Sequence, residues 1–145
     1  MHTRLLQPLK IPDAHVHRIK GELGPVAAAR DASAGFAKVV HSSLDFVFLG
    51  MGEDGHIASI FPGDPLEESP EPYRPALNAP KPPPERVTLA MHTMVAAKNV
   101  WVLASGTGKA EALGKSLRTA ETPLGRLIEQ RPFTRIFTDI SPKSA

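Results

Sequence analysis

Residues Leu44–Gly63, LDFVFLGMGEDGHIASIFPG, decide how the rest of the chain is read. Leu44-Asp-Phe-Val-Phe-Leu49 is a short run of β-favouring residues ending at a glycine, which suits a parallel strand covered on both faces. The glycine-rich turn after it then falls at the strand's carboxyl end, where open α/β sheets bind their ligands. Gly50, Gly52 and Gly55 allow backbone N–H groups to approach a ligand closely, and the turn presents His56 beside Glu53 and Asp54. A histidine next to a carboxylate is oriented and tuned to exchange protons near neutrality. On residue types alone, a cap on the following turn explains His56 equally well.

Working outward, the pattern alternates strands and helices. Toward the amino terminus, residues 1–13 read as a polar lead-in, and His15-Val-His-Arg-Ile19 as a short strand or extended turn. Pro25 suits the first position of a helix, where its missing N–H has no partner to lose. Ala29, Ala32, Phe36 and Val39/Val40 follow at helical spacing as one apolar stripe. Toward the carboxyl terminus, residues 62–86 are proline-rich and predict an extended surface loop. Loops of this length inside a compact domain are often functional. Val87–Met91 and Val100–Ala104 read as strands, with a helical turn at Thr93–Lys98 between them. Gly106-Thr-Gly-Lys109 opens a helix to about Arg118, Pro123 starts another, and Arg135–Thr138 reads as the last strand. This alternation predicts an α/β class with a doubly wound, mainly parallel sheet, in a single domain over residues 1–145.

Composition narrows the classes. The 145 residues are 41% hydrophobic and 22% charged with a net charge of +2, ordinary globular usage. Basic residues are scattered rather than striped, which argues against nucleic acid as a partner. No apolar run approaches the ~18–20 residues that cross a bilayer, and the first residues show no secretory pattern. With no cysteine, neither disulfides nor thiolate metal sites arise, in keeping with a cytoplasmic setting.

Competing motifs are weaker. Gly50-Met-Gly-Glu-Asp-Gly55 fits the dinucleotide fingerprint G-x-G-x-x-G. Asp54 would then face a pyrophosphate of like charge, and the acidic residue expected about 20 positions later falls in the proline-rich loop. His15 and His17 form an H-x-H without an evident third metal ligand. Ser59 lacks the surrounding turn of a nucleophile elbow. His41 and His92 read as surface residues and Trp101 as core.

The ordered landmarks resemble the 6-phosphogluconolactonases, in the wider group that includes glucosamine-6-phosphate deaminases and ribose-5-phosphate isomerases. The lactonase pattern runs from a strand into GxGxDGHxASLFP, then through a loop to K-P-P-x-R-[IV]-T. Here the second landmark is Ala79-Pro-Lys-Pro-Pro-Pro-Glu-Arg-Val-Thr88, with one extra residue before the arginine. Gly106-Thr-Gly-Lys-Ala110 matches a later G-x-x-K-A, Pro123-Leu124 the start of a helix, and Phe137-Thr-Asp139 the final strand with its aspartate. Deaminases continue from the histidine into Phe-Asn-Glu-Pro, so Ser59-Ile-Phe-Pro62 sides with the lactonases.

The resemblance implies hydrolysis of 6-phosphoglucono-δ-lactone to 6-phosphogluconate in the pentose phosphate pathway, without cofactor or metal. His56 would activate the water or protonate the ring oxygen, with Asp54 and Glu53 beside it. N–H groups from Gly50 to Gly55 would meet the oxyanion. Lys109, at a helix start, would hold the substrate phosphate, and Ser59 and Arg86 would contact substrate. The resemblance covers only the later part of the family pattern. It lacks the amino-terminal strands, a Gly-Gly-x-[ST]-P phosphate loop and an Asp-Glu-Arg segment. The chain is therefore expected to be the C-terminal part of a larger lactonase domain: a fragment, a piece of a split protein or a degenerate paralogue. Its expected partners are a missing N-terminal segment or a second copy joined through an exposed sheet edge. The alternatives are a non-catalytic sugar-phosphate-binding remnant and a deaminase-like enzyme acting on an aldose phosphate.

Overall fold

A computed structural model describes residues 2–64 and 69–141. Met1 of the polar lead-in and positions 65–68 of the proline-rich segment lie outside the described residues. Residues 2–24 form short helical turns at His2–Leu6, Asp13–His15 and Gly21–Leu23, and His15–Ile19 joins no strand.

Three strands form a parallel sheet: β1 (Phe46–Gly50), β4 (Asn99–Ala104) and β5 (Arg135–Thr138), in the order β1-β4-β5. β1 aligns Phe46 with Asn99 and Gly50 with Leu103, and β5 aligns Arg135 with Trp101 and Thr138 with Ala104. The side chains of Val47, Leu49, Val100, Val102 and Ala104 point to one face and are buried. Against them pack Met91 and Met94 of α2 (Met91–Val95), Ala112 and Leu113 of α3 (Ala110–Arg118), and Leu124 and Leu127 of α4 (Pro123–Gln130). Strand and helix alternate through this sheet, but the expected strand Val87–Met91 is not part of it: residues 86–89 pair in a separate antiparallel ribbon, and Met91 already begins α2, two residues before the anticipated turn.

The opposite face is different. β1 is buried only at alternate residues, and Phe48 is 63% exposed. Phe46, Phe48, Trp101 and Phe137 form a run of ring contacts across the open face, with centroids 5.0 to 5.6 Å apart. Trp101 thus belongs to this aromatic face rather than the core, and its indole N–H is buried without a partner among the described residues. The expectation of a strand covered on both faces is corrected: the apolar run was legible, but the element that would cover its second face is not among the described residues.

The proline-rich segment is also more ordered than a surface loop. β2 (Tyr73–Ala76) and β3 (Arg86–Leu89) pair antiparallel, Tyr73 opposite Leu89 and Ala76 opposite Arg86. Pro75 hides this strand from a pattern reading, yet a two-stranded ribbon tolerates proline because half its backbone groups need no ladder partner. Helix α1 (Pro25–Val39) lies on this ribbon. Ser33 Oγ accepts from Tyr73 N at 3.2 Å and donates to Tyr73 O at 3.3 Å, and Phe36 meets Tyr73 edge-on. The buried residues of α1 are Ala28, Ala29 and Ser33, whereas Val39 is 47% exposed. The expected stripe is rotated because a narrow ribbon selects small side chains for close approach.

Candidate active site

β1 delivers the chain into a turn that closes on itself. Gly52 N donates to His56 O at 2.9 Å and Gly55 N to Gly52 O at 3.0 Å, while Met51 N donates to Leu103 O on β4 at 3.3 Å. Ile57 and Ile60, both fully buried, anchor the far side of the turn in the core. The N–H groups of Gly52 and Gly55 are therefore engaged within the turn, which corrects their expected place as oxyanion donors. A tight turn satisfies its own backbone first.

Gly52 has a second reason to be glycine. A Cβ there would lie 2.0 Å from His56 Nδ1 and 2.6 Å from Asp54 Oδ1. Gly55 has φ +78, and a Cβ would meet Thr122 Cβ at 2.8 Å. Thr122 caps α4 by accepting from Gly125 N at 3.0 Å and shares a 2.6 Å hydrogen bond with Ser116 Oγ, and two residues on, Leu124 N–H donates to Gly55 O at 3.1 Å. The turn is thus seated on the start of α4.

His56 Nδ1 lies 2.6 Å from Asp54 Oδ1, and the His56 backbone N–H donates to the same oxygen at 3.2 Å. The His56 side chain is 18% exposed and that of Asp54 31%. Partial burial pushes the Asp54 carboxyl up, but the hydrogen bonds from the His56 ring and backbone outweigh it and hold the group at about 2. The pair directs Nδ1 toward the carboxylate, so Nε2 is the ring nitrogen that Asp54 does not engage. Because the folded value lies below the ordinary 3.8, the carboxylate stabilises the fold at higher pH, and this contribution fades as pH falls through about 2. Urea unfolding at pH 5 and pH 2 should show a loss on the order of 1–2 kcal/mol from this group. The loss should be absent in Asp54→Asn; an equal loss in the variant would assign it elsewhere.

Two residues that lie within the sequence landmarks but carried no expected site role complete the surroundings. The Phe61 ring packs on His56, centroids 4.4 Å apart, and Lys81 Nζ lies 3.4 Å from Asp54 Oδ2. The available signal was the lone lysine between prolines, but its meeting with Asp54 spans the proline-rich segment and cannot be read locally. Phe61 also lines a cleft of about 430 Å³ with Ser59, Arg74 and residues 75–80, a size suited to a small ligand. Asp64 and Arg74 pair across it at 2.8 Å. A larger hollow of about 820 Å³, between residues 13–20 and α1, contains no residue of the 50–63 turn.

The remaining expected residues divide. Gly50 closes β1 next to the turn. Ser59 is buried and its N–H donates to Thr88 Oγ1 at 3.1 Å, with the residue lining the cleft. Glu53 turns toward Gly108 rather than His56: a Cβ built on Gly108 would lie 2.8 Å from Glu53 Oε1. Lys109 ends the turn Thr107–Lys109 at the start of α3. That turn is pinned by Asp139, which accepts from Ser105 Oγ at 2.8 Å and Gly106 N at 3.1 Å. These bonds, helped by the charge of Lys109, hold the Asp139 carboxyl below its ordinary value. The Arg86 guanidinium is directed at the carbonyls of Lys81, Pro82 and Pro83.

Fold and site together define an α/β protein with a histidine–aspartate turn at the carboxyl end of a parallel strand. Residues 1–137 match the family model described as glucosamine-6-phosphate isomerases/6-phosphogluconolactonase, and the chain belongs to that family. It is 37% identical over 131 residues to the 6-phosphogluconolactonase of Rattus norvegicus, covering 84% of this chain and 49% of that protein. With the Homo sapiens 6-phosphogluconolactonase it is 38% identical over 124 residues, covering 82% and 48%. The crystal structure of 6-phosphogluconolactonase from Thermotoga maritima superposes with a TM-score of 0.80 at 26% identity, covering 94% of this chain and 62% of that one. The chain therefore spans about half the length of the curated relatives it matches.

Proposed function

We propose that this chain carries the hydrolytic site of a 6-phosphogluconolactonase, converting 6-phosphoglucono-δ-lactone and water to 6-phosphogluconate. The observation that carries the reading is the 2.6 Å His56–Asp54 pair at the end of β1, in a family whose matched relatives bear that name. Asp54 orients the ring, and Nε2 of His56 takes a proton from a water as its oxygen bonds to the lactone carbonyl carbon. The tetrahedral oxyanion collapses, the bond from that carbon to the ring oxygen breaks, and the imidazolium returns the proton to the leaving oxygen. Lys109, at the start of α3, supplies positive charge for the substrate phosphate. Ser59 contributes through the cleft wall.

Substrate choice tests the reading. The protein should accelerate hydrolysis of freshly prepared lactone above its spontaneous rate and release no ammonia from glucosamine 6-phosphate. Ammonia release without lactone hydrolysis would instead support a deaminase.

The reading also sets a partner. Parallel sheets require cover on both faces, and polypeptide equivalent to the half of the relatives not spanned here is the cover proposed for the aromatic face. Without it, the chain should self-associate through Phe48 and Phe137. Sedimentation of Phe48→Glu/Phe137→Glu should show the oligomer population reduced by roughly tenfold or more, about 1.4 kcal/mol of association free energy. Unchanged sedimentation would move the contact to another surface.

A further inference from the structure

We propose that Arg86 is a positioning residue: it clamps the Lys81–Pro83 carbonyls over Phe61 and so places Lys81 at Asp54. The inference rests on the lactonase reading and changes the role expected for Arg86, from contacting substrate to holding the loop that does.

Three hydrogen bonds carry it. Arg86 Nε donates to Pro83 O at 2.8 Å, and Nη2 donates to Lys81 O at 2.6 Å and Pro82 O at 3.0 Å. Pro82, Pro83 and Pro84 have no N–H, so this stretch cannot form the backbone bonds that would stabilise an ordinary turn. Its remaining backbone closure is Ala79 N donating to Pro84 O at 2.9 Å. The planar guanidinium supplies the missing donors from one rigid group. Arg86 is itself the first residue of β3, so the loop is tied to the ribbon rather than left to solvent.

The same guanidinium reaches the histidine by packing. Arg86 Cζ lies 5.4 Å from the Phe61 ring centroid, and the Phe61 ring lies on His56. The loop that Arg86 holds presents Lys81 Nζ 3.4 Å from Asp54 Oδ2. One side chain thereby sets both neighbours of the His56–Asp54 pair. Lysine at this position keeps the charge but cannot fork to several carbonyls.

The test compares Arg86→Ala, Arg86→Lys and Lys81→Ala on two substrates, the phosphorylated lactone and the same lactone without its phosphate. Arg86→Ala should lower kcat/KM on the order of tenfold or more, and by nearly the same factor on both, because misplacement costs rate whatever the substrate carries. Arg86→Lys should restore only part of it. Arg86→Ala/Lys81→Ala should lose little more than the larger single variant, since the two act as one unit. A loss confined to the phosphorylated lactone would make Arg86 a phosphate ligand and overturn the proposal, as would fully multiplicative losses. A second readout needs no turnover. In Arg86→Ala the NOE between the Phe61 and His56 rings should weaken and the Ala79 amide should exchange about tenfold faster, with both retained in Lys81→Ala. Unchanged NOE and exchange would refute the clamp. A chain inactive on lactone that still shows both changes would count against the lactonase reading and leave the clamp standing.

Discussion

Gly52→Ala is expected to abolish most of the lactone hydrolysis while leaving the fold in place. The added Cβ falls 2.0 Å from His56 Nδ1 and 2.6 Å from Asp54 Oδ1, distances that no pair of unbonded atoms tolerates. Gly52 lies outside the left-handed backbone region, so alanine is permitted there by the main chain. The relief must come from the His56 and Asp54 side chains, which are the groups the chemistry needs in register. A displacement on the order of 1 Å in a reacting group costs roughly 10²-fold in rate, and that is the loss expected in kcat. Gly55→Ala should behave differently. Its φ of +78 and the contact with Thr122 set the new methyl against the backbone and against the start of α4, so stability should fall along with activity. Circular dichroism and urea unfolding on the two variants separate the outcomes. If Gly52→Ala hydrolyses lactone at the wild-type rate, the observed His56–Asp54 arrangement is not the working one.

His56→Ala carries the other large effect. General acid–base catalysis by a positioned side chain contributes about 10²–10⁴-fold, so the enzymatic rate should fall by that range toward spontaneous hydrolysis. Asp54→Asn should cost a comparable factor, because the amide removes the charge that stabilises the imidazolium and can hold the ring in the wrong tautomer. Lys81 modifies this only slightly: its contact with Asp54 is longer and half-exposed, and exposed pairs contribute about 1 kcal/mol or less. The order of effects, His56→Ala and Asp54→Asn both well above Lys81→Ala, follows from distance and burial and is measurable as three values of kcat/KM.

Much of this was legible in the sequence, for reasons that can be named. The run from Phe46 to Gly50 declares a strand because β-favouring residues end on a glycine. Pro25 and Pro123 mark helix starts because proline costs least at the first helical position. The proximity of Asp54 to His56 follows from two residues of separation in a turn. What escaped is long-range. Lys81 meets Asp54, and Arg86 meets Phe61, only after the β2–β3 ribbon has paired, and Pro75 disguised that pairing as loop. Glu53 is adjacent to Asp54 in sequence yet turns toward Gly108, because neighbouring residues of a tight turn face different ways. Phe46, Phe48 and Trp101 read as core because composition records that a residue is apolar, not whether anything covers it. The open side of the sheet is a property of the assembly of elements, and no local pattern encodes it.

The most direct measurement is the initial rate of hydrolysis of freshly prepared 6-phosphoglucono-δ-lactone by the protein and by its His56→Ala variant, each against the spontaneous rate. The proposed site predicts wild-type hydrolysis above background and a variant reduced by about 10²-fold or more, with both proteins folded. Equal rates from the two, whether at background or above it, would contradict it.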